Sequence, residues 1–322
     1  VEAKTIIFLR HEHTEEAEVA QLLDERGLEV RALIPLRGVR RDLGARCIWL
    51  MPVAASPSYH GYDVKNYYRV NPEYGTNEDF KRLVSEAHRR GIRVLVDMVL
   101  NHASSEHPYF KDALLNSSSP YRDWFRWAAP KPASKGPWGQ EVWHRSPVRD
   151  EYYYGVFWSG MPDLNYDHPP VREEAKKVAT FWLEELGADG FRLDAIPYLV
   201  EEGTRLAGAP GTHAFLREYS AHVRRVAPNA YTVGEVWDSV GAMLPYYPDQ
   251  LDAHFAFAAS DALVESVRSG SARKLLEPYL RLQRALLDLE AAAHRAAGDD
   301  APFGERRAAH LPRHQPGQRP RQ

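Results

Sequence analysis

One alternating unit recurs along this chain and limits the folds that it can adopt. Short apolar or β-branched runs, CIWLMPV, IRVLVDMVL, ADGFRLDA and AYTVGEVW, alternate with amphipathic stretches such as NEDFKRLVSEAHRRG, VREEAKKVATFWLEELG and HAFLREYSAHVRRVAP. This alternation predicts parallel strands joined by helical crossovers. Gly44, Gly91 and Gly187 each stand between a helical stretch and a strand, where a left-handed residue is favoured. Thr76 and Asp79 predict a capping box at the start of one helix.

The alternation is interrupted once and is not recognisable at the two ends. Residues 101–165, rich in Pro, Ser, Trp and Tyr, are predicted to form an excursion domain inserted after a strand. Residues 1–41 contain a plausible strand, TIIFLR, and a helix, TEEAEVAQLLDERG, but otherwise do not follow the pattern. Residues 297–322 have Pro, Arg, Gln and His in place of an apolar face and are expected to be disordered.

Composition argues against several classes of protein. The formal net charge of -3 provides no basic field to attract phosphates, so nucleic acid is not the expected partner. The single Cys47 cannot form an internal disulfide or a cysteine-based metal site. No apolar run reaches the ~18 residues of a membrane span, and the first residues lack the plan of a signal peptide. We therefore expect no membrane association, and a cytoplasmic location is favoured.

Charged residues stand at the carboxyl ends of three successive predicted strands. Asp97 ends the first, Arg192 and Asp194 end the second, and Glu235 ends the third. Because the carboxyl ends of parallel strands form one rim, these acids are expected to lie together. Arg192 and Asp194 share a face of their strand, and a buried charge pair is costly unless it has a function. Helix capping or a surface ion pair would explain one such acid but not all three.

Four short motifs give the chain a resemblance to the α-amylase superfamily of glycoside hydrolases. DMVLNH (97–102), MPDLN (161–165), GFRLDA (190–195) and GEVW (234–237) are similar to four of its ordered signature regions. The stretch SYHGYDVKNYYRVNPEYGTNEDFKRLVSEAHRRGIRVLVD is similar to the family's second loop and third strand. The likeness runs from about residue 42 to about residue 286. The MPDLN form resembles the group between the oligo-1,6-glucosidases and the neopullulanase-type enzymes.

The resemblance implies an α/β fold of the (β/α)8 barrel type with an excursion domain after the third strand. Residues 42–100 would hold strands two and three, and residues 166–296 strands four to six. LDAHFAF would be the sixth strand, followed by a helix from about residue 272 to 294. No NHD motif, the family's last signature, follows Glu235. We therefore expect strands seven and eight to be missing, and the chain to be truncated or frame-disrupted at both ends.

The resemblance also implies retaining hydrolysis of α-glucosidic bonds in starch-type glucans or maltooligosaccharides. Asp194 would be the nucleophile, and Arg192 would keep it ionised by lowering its pKa. Glu235 would be the general acid and then the base, kept protonated near neutral pH by apolar neighbours that include Trp237. The residues that would bind the sugar are His60, Tyr62, Asp63, Asp97 and His102, with Tyr62 stacking on its ring.

The resemblance also implies a metal site, and it leaves two alternative functions open. Asn101 matches a position that binds calcium in many family members, so a structural calcium is expected there, while the chemistry itself requires no cofactor. A transglycosylating relative such as a trehalose synthase would use the same residues. A barrel that binds sugar without catalysis, as in the heavy chains of amino-acid transporters, is the third alternative. Such relatives commonly lack the residues that match Asp194 or Glu235, whereas both are present here. The sequence indicates no oligomeric state.

Overall fold

A six-stranded parallel sheet forms the centre of the computed structural model, which describes residues 6–9, 46–247 and 249–297. Numbered in chain order, its strands are β1 (Ile6–Leu9), β2 (Cys47–Leu50), β5 (Arg93–Val99), β9 (Gly190–Asp194), β10 (Tyr231–Gly234) and β11 (Ala253–His254). Every neighbouring pair in this order is parallel. The order is that of a (β/α)8 barrel through its sixth strand, and no strand follows β11 in the part of the chain that the structure describes.

Two smaller antiparallel sheets lie in loops between the strands of the main sheet. In the loop after β2, β3 (Ala54–Ala55) pairs with β4 (Asn66–Val70). In the predicted excursion after β5, β8 (Tyr152–Tyr154) pairs on its two sides with β6 (Trp127–Ala128) and β7 (Trp143–Arg145). The excursion thus has a sheet of its own, which stands after the third strand as the resemblance implied.

Helices lie between the strands of the main sheet as the alternation predicts, and in the described part of the chain two more follow the last strand. They are α1 (Asn77–Arg89), α2 (Pro108–Leu115), α3 (Pro169–Thr180), α4 (Pro210–Val226), α5 (Val240–Met243), α6 (Phe257–Ser269) and α7 (Arg273–Ala297). Short 3-10 turns occur at Arg122–Trp124, Ile196–Tyr198 and Leu244–Tyr246, and α3 continues into a π-helical turn at Phe181–Glu185. Among the described residues, none of the helices combines the length and the apolar character that a membrane crossing needs.

Local sequence signals explain where the helical stretches begin and end. The Thr76 hydroxyl accepts a hydrogen bond from the Asp79 N–H, and the Asp79 carboxylate accepts one from the Thr76 N–H, so the predicted capping box is confirmed. Gly91 and Gly187 have φ angles of 71° and 77°, which confirms their predicted left-handed conformation before β5 and β9. Gly44 lies outside the described residues.

Gly190 allows β9 and β10 to approach closely. Its φ angle is 148°, and a Cβ atom there would lie 1.9 Å from the carbonyl oxygen of Tyr231, its partner on β10. Only glycine can occupy this position without moving one strand away from the other.

Predictions for the two ends of the chain have different outcomes. The strands in TIIFLR and LDAHFAF are confirmed as β1 and β11, and the helix expected near residues 272–294 is confirmed as α7. The sequence did not predict α6, which lies between β11 and α7. The helix predicted within residues 1–41 and the disorder expected after α7 lie outside the described residues.

Contacts between residues divide the chain into two units. The first runs to Trp237 and includes Tyr246–Phe255, and it holds the main sheet and the excursion. The second consists of Asp238–Pro245 and the residues from Ala256 onward, and it holds α5, α6 and α7. All the predicted site residues therefore belong to the first unit.

Candidate active site

The register of the strands brings the predicted catalytic residues to one end of the sheet. Asp97 of β5 is paired with Arg192 of β9, while β10 is paired with the other edge of β9. Asp194 is the last residue of β9. Glu235 directly follows β10, and its N–H donates to the carbonyl oxygen of Leu193 at 3.0 Å. Because the three strands are parallel, the charged side chains meet at their carboxyl end.

Arg192 is the centre of this group and contacts three carboxylates. Its Nη1 donates to Asp194 Oδ1 at 2.5 Å and to Asp97 Oδ1 at 2.9 Å. Its Nη2 lies 2.8 Å from Glu235 Oε2. The side chain of Arg192 is only 6% exposed, so these contacts are shielded from water. One guanidinium cannot neutralise three carboxylates. The surroundings therefore favour the protonated form of these carboxyl groups.

Burial raises the pKa of Asp97, Asp194 and Glu235, and Arg192 opposes the rise in each case. The net pKa of Asp194 lies above its ordinary value because burial outweighs the guanidinium, whereas the sequence led us to expect a lowered pKa. The pKa of Glu235 is raised by burial and then by the charge of Asp194, while Arg192 and the Ala195 N–H lower it. Among the neighbours of Glu235, Val233 and Val236 are buried, whereas Trp237 is 72% exposed.

Of the predicted sugar-binding residues, Tyr62 contacts the charged group directly, and His60 and His102 contact Tyr62. The Tyr62 hydroxyl donates to Asp97 Oδ2 at 3.3 Å and accepts from Arg192 Nη1 at 3.4 Å. The ring of His60 is stacked on that of Tyr62, with the ring centroids 6.1 Å apart. His102 is buried, and its Nε2 lies 3.1 Å from the carbonyl oxygen of Tyr62. Burial lowers the pKa of His102 to about 4, so its ring is neutral near pH 7.

Asp97 and Asp63 are bonded to other protein groups. The side chain of Asp97 is 0% exposed and accepts hydrogen bonds from Arg192 and from the Tyr62 hydroxyl, and its contact with the sugar stays a prediction. Asp63 is also buried, and its Oδ1 accepts hydrogen bonds from the hydroxyls of Ser56, at 2.7 Å, and of Ser58. Asp63 therefore fixes the loop on which it lies.

Two contributors to the site gave no signal in the sequence. Trp49 of β2 packs near Arg192, whose Cζ lies 5.0 Å from the centroid of the indole ring. Ala195 directly follows Asp194, has a left-handed φ of 48°, and donates its N–H to Glu235 Oε2 at 3.1 Å. A left-handed alanine is unfavourable, so tertiary contacts must hold this backbone in place.

Asn101 lies in a second buried cluster of polar groups. The Asn101 carbonyl oxygen accepts a hydrogen bond from the Leu164 N–H at 2.9 Å, which places Asn101 beside Asp163. Within the described residues, Asn101 Oδ1 and Asp163 Oδ2 are buried and have no hydrogen-bond partner. Burial first, and then the charge of Glu201, raise the pKa of Asp163, which shows that the two carboxyl groups are close. Arg126 forms an ion pair with Glu201 at 2.5 Å.

This cluster fits the donor chemistry of calcium. Calcium prefers hard oxygen ligands from carboxylates and amides, and one guanidinium against two carboxyl groups leaves an excess of negative charge when both are ionised. Nowhere in the described ranges could three or more His, Cys, Asp or Glu side chains hold a metal ion together, so an amide oxygen such as that of Asn101 would be needed. The sequence analysis did not identify Asp163 and Glu201 as partners of Asn101, although Asp163 belongs to the MPDLN motif.

Comparisons with known proteins agree with this geometry. Residues 40–297 match the family model for the alpha amylase catalytic domain. The chain is 39% identical over 258 residues to Alpha-amylase 3 of Dictyoglomus thermophilum, covering 80% of this chain and 49% of that protein. It is 39% identical over 241 residues to trehalose synthase/amylase TreS of Mycobacterium tuberculosis, covering 71% and 40%. The crystal structure of alpha-amylase from H. orenii superposes with a TM-score of 0.67 and 39% identity, covering 76% and 49%. The chain thus spans about half of the length of these relatives, or less.

Proposed function

Because this chain belongs to the alpha-amylase family, we propose that it carries the catalytic centre of a retaining glycoside hydrolase acting on α-glucosidic bonds of starch-type glucans or maltooligosaccharides. The observation that carries this proposal is that the Arg192 guanidinium contacts both Asp194, at 2.5 Å, and Glu235, at 2.8 Å. Retaining enzymes need their two carboxyl groups only about 5 Å apart, whereas inverting enzymes need room for a water between them. The close pair therefore supports retention.

The proton distribution suits the two roles. Burial raises the pKa of Glu235, so Glu235 would carry a proton and donate it to the glycosidic oxygen, which leaves with the departing sugar. Asp194 is then a free carboxylate beside Arg192 and can attack the anomeric carbon, forming a covalent glycosyl-enzyme. In the second step Glu235 takes a proton from water, the water attacks the same carbon, and Asp194 is released.

The surrounding residues would hold the sugar and the catalytic groups in place. Tyr62 would stack on the ring of the sugar being cleaved, with His60 and His102 beside it. Asp97 would act through Arg192, because its side chain is fully buried. Asp63 would fix the loop of Tyr62 through its Oδ1 atom. Its Oδ2 atom would be the one that accepts a hydrogen bond from a sugar hydroxyl.

We also propose that Asn101, Asp163 and Glu201 hold a structural calcium ion. Asn101 follows β5, Asp163 lies near the end of the excursion, and Glu201 follows the turn after β9. Calcium would offset the excess negative charge of the cluster and would connect the end of the excursion to the loops of the barrel.

Replacing the nucleophile tests the proposal. Asp194→Asn should lower the turnover of maltotriose by several orders of magnitude, because an amide cannot form the covalent intermediate. NMR of the first products from the unmodified protein should show the α-anomer, as retention requires. Asp249→Asn, at an exposed carboxylate, is a matched control and should keep full activity. A mild effect of Asp194→Asn, or a β-anomeric first product, would contradict the proposed mechanism.

A trehalose synthase is the second candidate, and it is favoured by the similarity to TreS, which extends over 241 residues, against 258 for Alpha-amylase 3. Both reactions would use Asp194 and Glu235 in the same roles. Incubation with maltose distinguishes them, because a hydrolase releases glucose while a synthase accumulates trehalose.

A further inference from the structure

Trp138 is 59% exposed although its loop is tightly ordered by hydrogen bonds. Gly136 N–H donates to the Gln140 carbonyl oxygen, and Gly139 N–H donates to that of Gly136, both at 2.9 Å. The side chain of Gln140 accepts from Trp138 N–H at 2.9 Å and donates to the carbonyl oxygen of Val156 at 2.8 Å. The backbone therefore presents the indole to solvent in a fixed position.

The packed side of this indole rests on two aromatic rings that lead to the active site. The Trp138 ring centroid lies 5.8 Å from that of Phe157 and 5.3 Å from that of Tyr198. Phe157 in turn lies 5.1 Å from His102. Tyr198 ends the short turn that follows Asp194. Ring contacts thus connect Trp138 to His102 and to the turn that follows Asp194.

We propose that Trp138 is a stacking platform for a glucosyl unit of the substrate that lies outside the catalytic subsite. This inference rests on the proposed function. The faces of a glucose ring carry C–H groups, and they lose unfavourable contact with water when they cover an aromatic ring. A rigid indole gains this contact area with little loss of conformational entropy. The platform would favour longer glucans, because they carry more glucosyl units outside the catalytic subsite than a disaccharide does.

Binding measurements test this inference on the Asp194→Asn background, in which the sugar is not consumed. Isothermal titration should show that Trp138→Ala raises the Kd of maltoheptaose about tenfold, the factor expected for loss of one good aromatic contact. The Kd of maltose should stay within about twofold. Trp138→Phe keeps an aromatic face and should retain most of the affinity. Leu115→Ala, at an exposed residue at the end of α2, should change neither Kd.

A second measurement uses the unmodified indole. Maltoheptaose should quench the intrinsic tryptophan fluorescence more strongly than maltose does, and Trp138→Phe should remove the difference. Equal changes of both Kd values in Trp138→Ala, or none, would overturn the platform while leaving the proposed function intact. If the Asp194→Asn protein binds neither sugar, the proposed function fails, and the platform with it.

Discussion

Replacing Arg192 by methionine should destabilise the protein strongly near neutral pH. Methionine fills a similar volume but removes the positive charge that faces three carboxylates at 2.5 to 2.9 Å. Removing one partner from a buried ion pair costs about 3–5 kcal/mol, because an uncompensated buried charge remains. In a unit of this size, 1 kcal/mol corresponds to roughly 2–4 °C in Tm. The expected fall in Tm is therefore about 6–20 °C at pH 8.

The loss should become smaller as the pH falls. Burial raises the pKa of Asp97, Asp194 and Glu235, and removing Arg192 removes the opposing influence, so all three should rise further. A carboxyl group whose pKa is higher in the folded than in the unfolded state destabilises the fold above the folded pKa. It does not do so below the unfolded pKa, which is about 4. The pKa of Asp97 is already raised to about 8 in the unmodified protein, so below pH 8 the difference comes mainly from Asp194 and Glu235. The Tm difference should therefore be large at pH 8 and small near pH 5.

Thermal unfolding followed by circular dichroism at these two pH values measures the effect. Arg82→Met is the matched control, because Arg82 pairs with Asp79 at an exposed site, where an ion pair contributes only about 0–1 kcal/mol. An equal fall in Tm at both pH values would refute the electrostatic reasoning, since a packing defect does not depend on the protonation of carboxyl groups. A fall in Tm of less than about 2 °C at pH 8 would show that Arg192 is not needed to stabilise the buried carboxylates.

Three further outcomes are expected. EDTA should lower the Tm of the unmodified protein but not that of Asp163→Asn, which lacks a proposed calcium ligand; an equal fall in both would place any calcium elsewhere. Ala195→Gly should raise the Tm by about 1–2 °C, because glycine adopts the left-handed φ with less strain, and a lowered Tm would contradict that strain. Glu235→Gln should lose far more activity on maltotriose than on p-nitrophenyl α-glucoside, whose leaving group needs little protonation; similar losses would remove Glu235 from the acid role.

Much of the barrel and of the catalytic group was predictable because their signals are local or periodic. Residues two apart on a strand share a face, which is why Arg192 and Asp194 could be paired in advance. The rule that parallel strands share a carboxyl rim placed Asp97 and Glu235 with them. The glycine after α1, Gly91, is a similarly local signal, since few other residues adopt its backbone conformation.

Features that depend on burial or on distant contacts were not predictable. The net direction of the pKa shift of Asp194 depends on how far burial outweighs Arg192, and the sequence does not quantify burial. The full burial of Asp97 and the contact between Trp138 and Tyr198 arise only when separate segments pack together. The left-handed backbone of Ala195 has no sequence signature, because alanine ordinarily avoids it.

The distance between the catalytic residues Asp194 and Glu235 depends on Gly190, although Gly190 stands at the first position of β9. A single methyl group there would meet the carbonyl oxygen of Tyr231 at 1.9 Å and force β10 away from β9. Asp194 ends β9 and Glu235 follows β10, so the distance between them is set in part at the opposite end of both strands. If a library of random substitutions is selected for activity, we therefore expect position 190 to stay glycine, just as the catalytic positions stay unchanged.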